Sequence, residues 1–384
     1  MKNQNFDQTK MVRIVRAEVF LVEASFVTPY KLSYGVASTA RAVMLKLMDE
    51  DGLVGWGEAN PKKPFTPESE EDAANALKND ILPLILNLDI ESASQIDTLL
   101  DRRIPGQLCA KGAVSTAILD LIGKRLRIPL STFLGGHVRT SLPVLWPLGN
   151  GSAEDDIPVI EERAAKGFHT FMLKMGAATA LEEARRVQTL EARYGDRIKF
   201  IADANQGWTV SQSQEFISHV RGSKLLFLEQ PVDKHDIDGM ATLSQSKEVA
   251  LSADESLQGL AEAARIACVG AAQIFSIKSS KNGGPLRAQR IAAVAKAFGI
   301  RCYMNSMLEF GITQAASLHH AVTIDNLVDA GHAFMSTLRF AEDPTNFSTF
   351  VRDGTVHFNR DFGLGLQVDE DHVRRMTITS ADCR

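Results

Sequence analysis

From Met11 the chain alternates apolar and polar positions through RIVRAEVFLVEA and again through VMLKLMDEDGLVGWGEA, where Asp51-Gly52 falls between two apolar runs. That is the pattern of antiparallel strands joined by a tight turn. Between Pro67 and Gly136 the period lengthens: DAANALKNDILPLI, IDTLLDRRI and AVSTAILDLIGKRL carry apolar residues at i, i+3 and i+4, which predicts helices packed on the opening meander. After His137 short apolar runs alternate with amphipathic helices. LPVLWPL, FMLKM, IKFIADAN, LLFLEQP, VALSADES, QIFSIKSS, IRCYMNSM and NLVDAGH are eight strand candidates, enough to close a parallel α/β barrel with right-handed crossovers. An open doubly wound sheet is disfavoured, because no G-x-G-x-x-G follows LPVLWPL. From about Phe347, VRDGTVHF and FGLGLQVDE return to hairpin-like alternation, predicting a tail that rejoins the N-terminal sheet. The division expected is a capping domain over 1–136, a barrel over 137–346 and a returning segment over 347–384.

A closed barrel fills its interior with apolar layers and displays chemistry at the C-terminal ends of its strands. Five successive strand candidates end there on an ionisable residue, Lys174, Asp203, Glu229, Asp254 and Lys278, separated by 29, 26, 25 and 24 residues, each about one strand-helix unit. Three neighbouring carboxylates without a cation would repel one another strongly, by several kcal/mol per pair at an effective dielectric of ~20. An all-oxygen set of this kind suits a hard divalent ion such as Mg²⁺, with Mn²⁺ as a substitute. The competing reading makes each carboxylate the N-cap of the next helix. Lys174 and Lys278 flank the trio from opposite sides and are candidate acid/base groups, the alternative being salt bridges to the same carboxylates.

Composition narrows the functional classes further. The 384 residues carry 42 basic and 47 acidic side chains without a long block of either sign, which argues against nucleic-acid or anionic-lipid partners. Charges interrupt every apolar run well short of ~18 residues, so no membrane span is expected, and the polar start MKNQNFDQTK does not read as a signal peptide. Cys109, Cys268, Cys302 and Cys383 are far apart and fit reduced thiols in the cytoplasm. A small-molecule substrate and a homo-oligomer are expected.

The segments TPYKLSYG, GWGEA, LGG, DANQGW, LEQP, ADES, IKSSKNGGP, SMLE and GLGLQV occur in an order that resembles the enolase superfamily, and within it the muconate-lactonizing-enzyme subgroup of the mandelate racemase/muconate lactonizing enzyme family. The resemblance implies a capping domain built from both chain ends, a (β/α)₇β barrel, Mg²⁺ on Asp203, Glu229 and Asp254, and acid/base lysines at Lys174 and Lys278. It further implies that Asn205 and Glu255 lie in or beside the metal site and that Glu309 lines the pocket. Tyr30 and Lys31, and Lys62, Lys63 and Phe65, fall in two loops that resemble the family's specificity loops. His332 is a minor candidate for substrate contact, and His319 and His320 read as helix residues.

Two departures stand out. The subgroup's Lys-x-Lys is here Met172-Leu173-Lys174, and without the repulsion of a second ammonium Lys174 is expected to hold its proton more tightly. NLVDAGHAF lacks the Asp-x-Asp with which similar dipeptide epimerases hold an ammonium group. The chemistry implied is formation or quenching of an enediolate α to a carboxylate. Muconate-like cycloisomerisation comes first, then racemisation or epimerisation of an N-substituted amino acid, dipeptide or proline betaine, then acid dehydration. An idle metal-binding barrel is the rival outside enzymology.

Overall fold

The computed structural model describes residues 11–32 and 35–384. The opening meander is present: β1 (Val12–Leu32), β2 (Gly35–Asp49) and β3 (Val54–Ala59) pair antiparallel in that order, and the β2–β3 turn contains Gly52 at φ 79°. A short β4 (Asp89–Ile90) pairs with the start of β1. Behind β3 lies the central cap helix, Leu108–Leu126, and the glycines of GWGEA explain how closely the two approach. A Cβ at Gly55 would sit 2.1 Å from the carbonyl oxygen of Ala117, and one at Gly57 would sit 1.9 Å from that of Ala113. Neither partner can yield, because both oxygens belong to helix backbone. Gly57→Ala is therefore expected to destabilise the protein by ~3 kcal/mol or more, the upper end of overpacking costs; a denaturant midpoint unchanged from wild type would contradict this packing.

β6 (Leu145–Leu148), β7 (Thr170–Lys174), β8 (Lys199–Asp203), β9 (Leu228–Glu229), β10 (Leu251–Ala253), β11 (Ile274–Ile277) and β12 (Arg301–Met304) form one parallel sheet in sequence order. Each is followed by a helix. The eighth candidate, NLVDAGH, does not form a regular strand, yet it closes the cylinder: Val328 N donates to Cys302 O at 2.9 Å, Ala333 N to Met304 O at 2.9 Å, and Leu145 N to His332 O at 3.0 Å. The result is a (β/α)₇β barrel.

The tail divides its pairing. β15 (Thr377–Cys383), a strand beyond the alternating segments VRDGTVHF and FGLGLQVDE, adds antiparallel to the outer edge of β1. The hairpin within VRDGTVHF behaves differently: β13 (Val351–Arg352) pairs with β14 (Thr355–His357), and β14 pairs with β5 (Ser141–Pro143), which immediately precedes the first barrel strand. Alternation identifies a hairpin but not its partner edge.

Cap and barrel are tied together at the site by Glu58. Its buried carboxylate accepts from Phe310 N at 2.7 Å and Thr313 N at 2.8 Å, capping the barrel helix Gly311–Ala321 from the cap side. The loop that follows β3 is thereby fixed above the C-terminal ends of the barrel strands.

Candidate active site

The sheet register aligns the first part of the site. Lys174 pairs with Asp203 and Asp203 with Glu229, so three side chains from adjacent strands stand in one row at the barrel rim. Glu229 pairs with Ser252, which puts Asp254 two residues beyond that row and just past β10. These carboxylates are not helix caps. Ser152, Thr179, Thr209 and Asp236 cap the helices after β6, β7, β8 and β9, each accepting from a first-turn backbone N–H.

Each carboxylate has a different environment. Asp203 accepts a short hydrogen bond from Lys174 Nζ, which also reaches Asn205 Oδ1 at 3.1 Å. Asn205 and Gln206 both have left-handed backbones, φ 44° and 67°, turning the chain sharply so that Asn205 N donates back to Asp203 Oδ1 at 2.9 Å. Asp254 is held by two ammonium groups, Lys278 Nζ at 2.6 Å from Oδ2 and Lys281 Nζ at 2.8 Å from Oδ1. Although burial opposes its ionisation, those two lysines keep its carboxyl well below the usual range.

Glu229 lacks such a cation. Oε1 accepts from Asn305 Nδ2 at 2.6 Å and Ser276 Oγ at 2.9 Å, whereas Oε2 is buried with no hydrogen-bond partner. Burial, then Asp203 and Asp254, push its carboxyl well above the ordinary value. Glu255 is similar: burial and the same two aspartates raise it to about 7, and its Oε2 is also without a partner. For Lys278, burial opposes the charge, but Asp254, Glu229 and Glu255 together hold its ammonium above the ordinary value.

Among the described residues no three carboxylate or imidazole groups converge into a ready-made metal cage. The lysines account for that, since Asp203 and Asp254 are turned to ammonium groups. The donor set still fits a hard divalent ion: the groups are all oxygen, buried and mutually repelling, and Glu229, like the adjacent Glu255, carries an orphaned oxygen that calls for positive charge.

Lys174, Lys278, Asn205 and Asn305 line one cavity. Lys62 and Phe65 reach its mouth from the loop after β3, whereas Lys63 turns away to Asp72 at 2.7 Å. The side chains of Tyr30 and Lys31 lie outside the described residues. Glu309 sits beneath the wall rather than on it: Ser306, itself a lining residue, donates a short hydrogen bond to it, and Met307 N and Gln314 Nε2 donate at 2.6 and 3.0 Å.

His332 is not a cavity residue. Its Nδ1 accepts from Met304 N at 3.1 Å, its ring stacks on Tyr303, and burial lowers its pKa to about 3, so it is a neutral part of the barrel seam. His319 is likewise buried, its ring nitrogens engaged with Ser131 N and Leu364 O. Lys281 and Asn305 were not anticipated as site residues.

A capped barrel with acidic and lysine side chains at its strand ends is the frame of an enzyme. Residues 16–135 match the mandelate racemase / muconate lactonizing enzyme N-terminal domain, and residues 159–372 the enolase C-terminal domain-like family; the chain belongs to this family of the enolase superfamily. It is 31% identical over 368 residues to muconate cycloisomerase 1 of Acinetobacter baylyi, covering 94% of this chain and 98% of that protein. The crystal structure of N-succinyl Arg/Lys racemase from Bacillus cereus superposes with a TM-score of 0.93 at 26% identity, covering 97% of this chain and all of that one. Muconate lactonizing enzyme from Pseudomonas fluorescens, complexed with muconolactone, superposes with a TM-score of 0.91 at 30% identity, covering 95% and 99%. These relatives are isomerases, and the chain is an enzyme of that class.

Proposed function

We propose that this enzyme forms or quenches an enediolate α to a substrate carboxylate, with Lys174 and Lys278 as the proton-transfer groups and Asp203, Glu229 and Asp254 as ligands of one divalent cation, Mg²⁺ by preference. The observation that carries the proposal is the pair of lysines on one cavity, each hydrogen-bonded to a different carboxylate of the trio. When bound, such an ion neutralises charge developing on the substrate carboxylate. Lys174 and Lys278 then hold or accept the α-proton at Nζ, the Asn205 backbone N–H and Lys281 orient Asp203 and Asp254, and the cap loop carrying Lys62 and Phe65 limits water access.

Lactonisation of a muconate-like dicarboxylate is the first reading, supported by the cycloisomerase relatives and by Lys62 as a cation for a second carboxylate at the mouth. Racemisation of an N-acylated amino acid is the second, favoured by acid/base groups on two sides of one cavity. Incubation with cis,cis-muconate and with N-succinyl amino acids, followed by proton NMR and polarimetry, separates them: lactone signals support the first and loss of optical rotation the second. Neither change at high enzyme concentration would count against the proposal.

Met172 offers an independent check. It lines the cavity two residues from Lys174 on the same strand face. Met172→Lys would put a second ammonium beside Lys174 and disfavour its charged form, so the base becomes free at lower pH. The ascending limb of the pH–rate profile is expected to move to lower pH. An unmoved limb would show that Lys174 does not govern it.

A further inference from the structure

We infer that the substrate body beyond the α-carbon is apolar and carries no positive charge, so that this site rejects the ammonium- or guanidinium-bearing side chains named for its structural neighbour. The inference rests on the α-proton chemistry proposed above and deepens it.

Besides the two lysines the cavity wall includes Phe65, Leu145, Met172, Met307, Leu308 and Met335. Leu145, Met172 and Met335 are buried, so they present a dry surface to whatever enters. The charged side chains that line the cavity are all lysines: Lys62, Lys174 and Lys278. Among the described residues no carboxylate lines it; Glu229 and Glu255, each with a buried Oε2 lacking a partner, lie off the lining, and the other nearby acids are engaged. Asp203 and Asp254 hold lysines, Glu229 accepts from Asn305 and Ser276, and Glu309 is satisfied from Ser306, Met307 and Gln314.

A cationic arm entering this wall would give up its hydration for thioether and hydrocarbon neighbours, with three ammonium groups adding repulsion. A hydrocarbon, thioether or diene body loses nothing comparable and gains contact with flexible methionines, which adapt to irregular shapes. A negative group at the far end would meet Lys62 at the mouth. Met172 has a particular part in this, because the resembling subgroup carries a lysine there; the thioether extends the apolar wall almost to the proton-transfer site.

The test uses the full-length protein with N-acetyl-L-norleucine and N-acetyl-L-lysine, probes of similar length that differ in whether the arm carries an ammonium. Binding is measured by calorimetry with Mg²⁺ present, and α-proton exchange in D₂O is followed by NMR. The norleucine probe is expected to bind at least tenfold more tightly. Met335→Glu, which puts a carboxylate in the wall, is expected to move the preference toward the lysine probe by at least tenfold. Equal or tighter binding of the lysine probe by wild type overturns the inference, as does failure of both probes to bind. Tighter norleucine binding without exchange of either probe supports the inference and counts against the proton-transfer reading, so the two fail separately.

Discussion

Lys278→Ala is expected to lower α-proton exchange by ~10²–10⁴-fold, the range for a positioned general acid/base, while leaving divalent-ion binding equal to or tighter than wild type. Lys278 ends its strand with Nζ 2.6 Å from Asp254 Oδ2 and lines the cavity. Removing it deletes the proton-transfer group together with a positive charge that competes with a cation for Asp254. Asp254 keeps its contact with Lys281, so the carboxylate stays oriented. The combination of lost exchange and retained metal binding distinguishes a chemical role from a structural one. Full exchange in this variant would require the base to come from elsewhere.

Glu229→Gln should weaken divalent-ion affinity by roughly 100-fold or more, at least as much as the loss of a group that merely orients a ligand. In metal-free protein the same change is expected to stabilise the fold at neutral pH, because a neutral amide replaces a buried carboxyl that must take up a proton to fold and whose Oε2 has no partner. The pH dependence follows from the direction of the shift. Burial and the neighbouring aspartates raise the folded value of Glu229 above its ordinary value of 4.5. The folded state therefore holds its proton more tightly than the unfolded state, and the stability this contributes is fully present below pH 4.5. That contribution is lost as pH rises through the elevated folded value, at up to ~1.4 kcal/mol per pH unit. Metal-free wild type should thus lose stability with rising pH more steeply than metal-free Glu229→Gln, measured by urea unfolding at several pH values. Parallel pH profiles would mean that Glu229 does not hold its proton more tightly in the folded state than in the unfolded one.

Much of this site is legible in the sequence for a reason of geometry. One ionisable residue at the end of each of five successive strands can hardly avoid meeting at the rim of a closed parallel sheet, and the structure brings Lys174, Asp203, Glu229, Asp254 and Lys278 together there. Lys281 escapes that reasoning because it lies in the loop after β11. The loop turns back through Gly283 and Gly284, at φ 83° and 97°, and Asn282 closes it by accepting from Lys278 N at 2.9 Å; only this path brings Lys281 to Asp254. Asn305 could have been found by the strand-end rule, since it directly follows β12, had amides been weighed beside charged groups.

His332 shows the opposite limitation. Its position at the end of the last barrel segment is correct, yet its ring faces the seam, where Met304 N occupies Nδ1. Strand periodicity gives a side chain's face only where the strand is regular, and this segment touches its neighbours through isolated bridges. The tail hairpin was misassigned to the cap sheet for a related reason, because alternation marks a pair of strands without marking which open edge they join.

If a divalent ion on Asp203, Glu229 and Asp254 and the lysines beside them act together on the α-proton of a carboxylate, deuterium from D₂O should enter at that carbon only when the ion is bound. Protein stripped of metal by chelation and then titrated with Mg²⁺ in the presence of a bound carboxylate such as N-acetyl-L-norleucine is expected to show negligible incorporation when stripped, restoration that saturates at one ion per chain, and no restoration in Lys278→Ala. Incorporation at the wild-type rate in fully stripped protein would contradict that joint action.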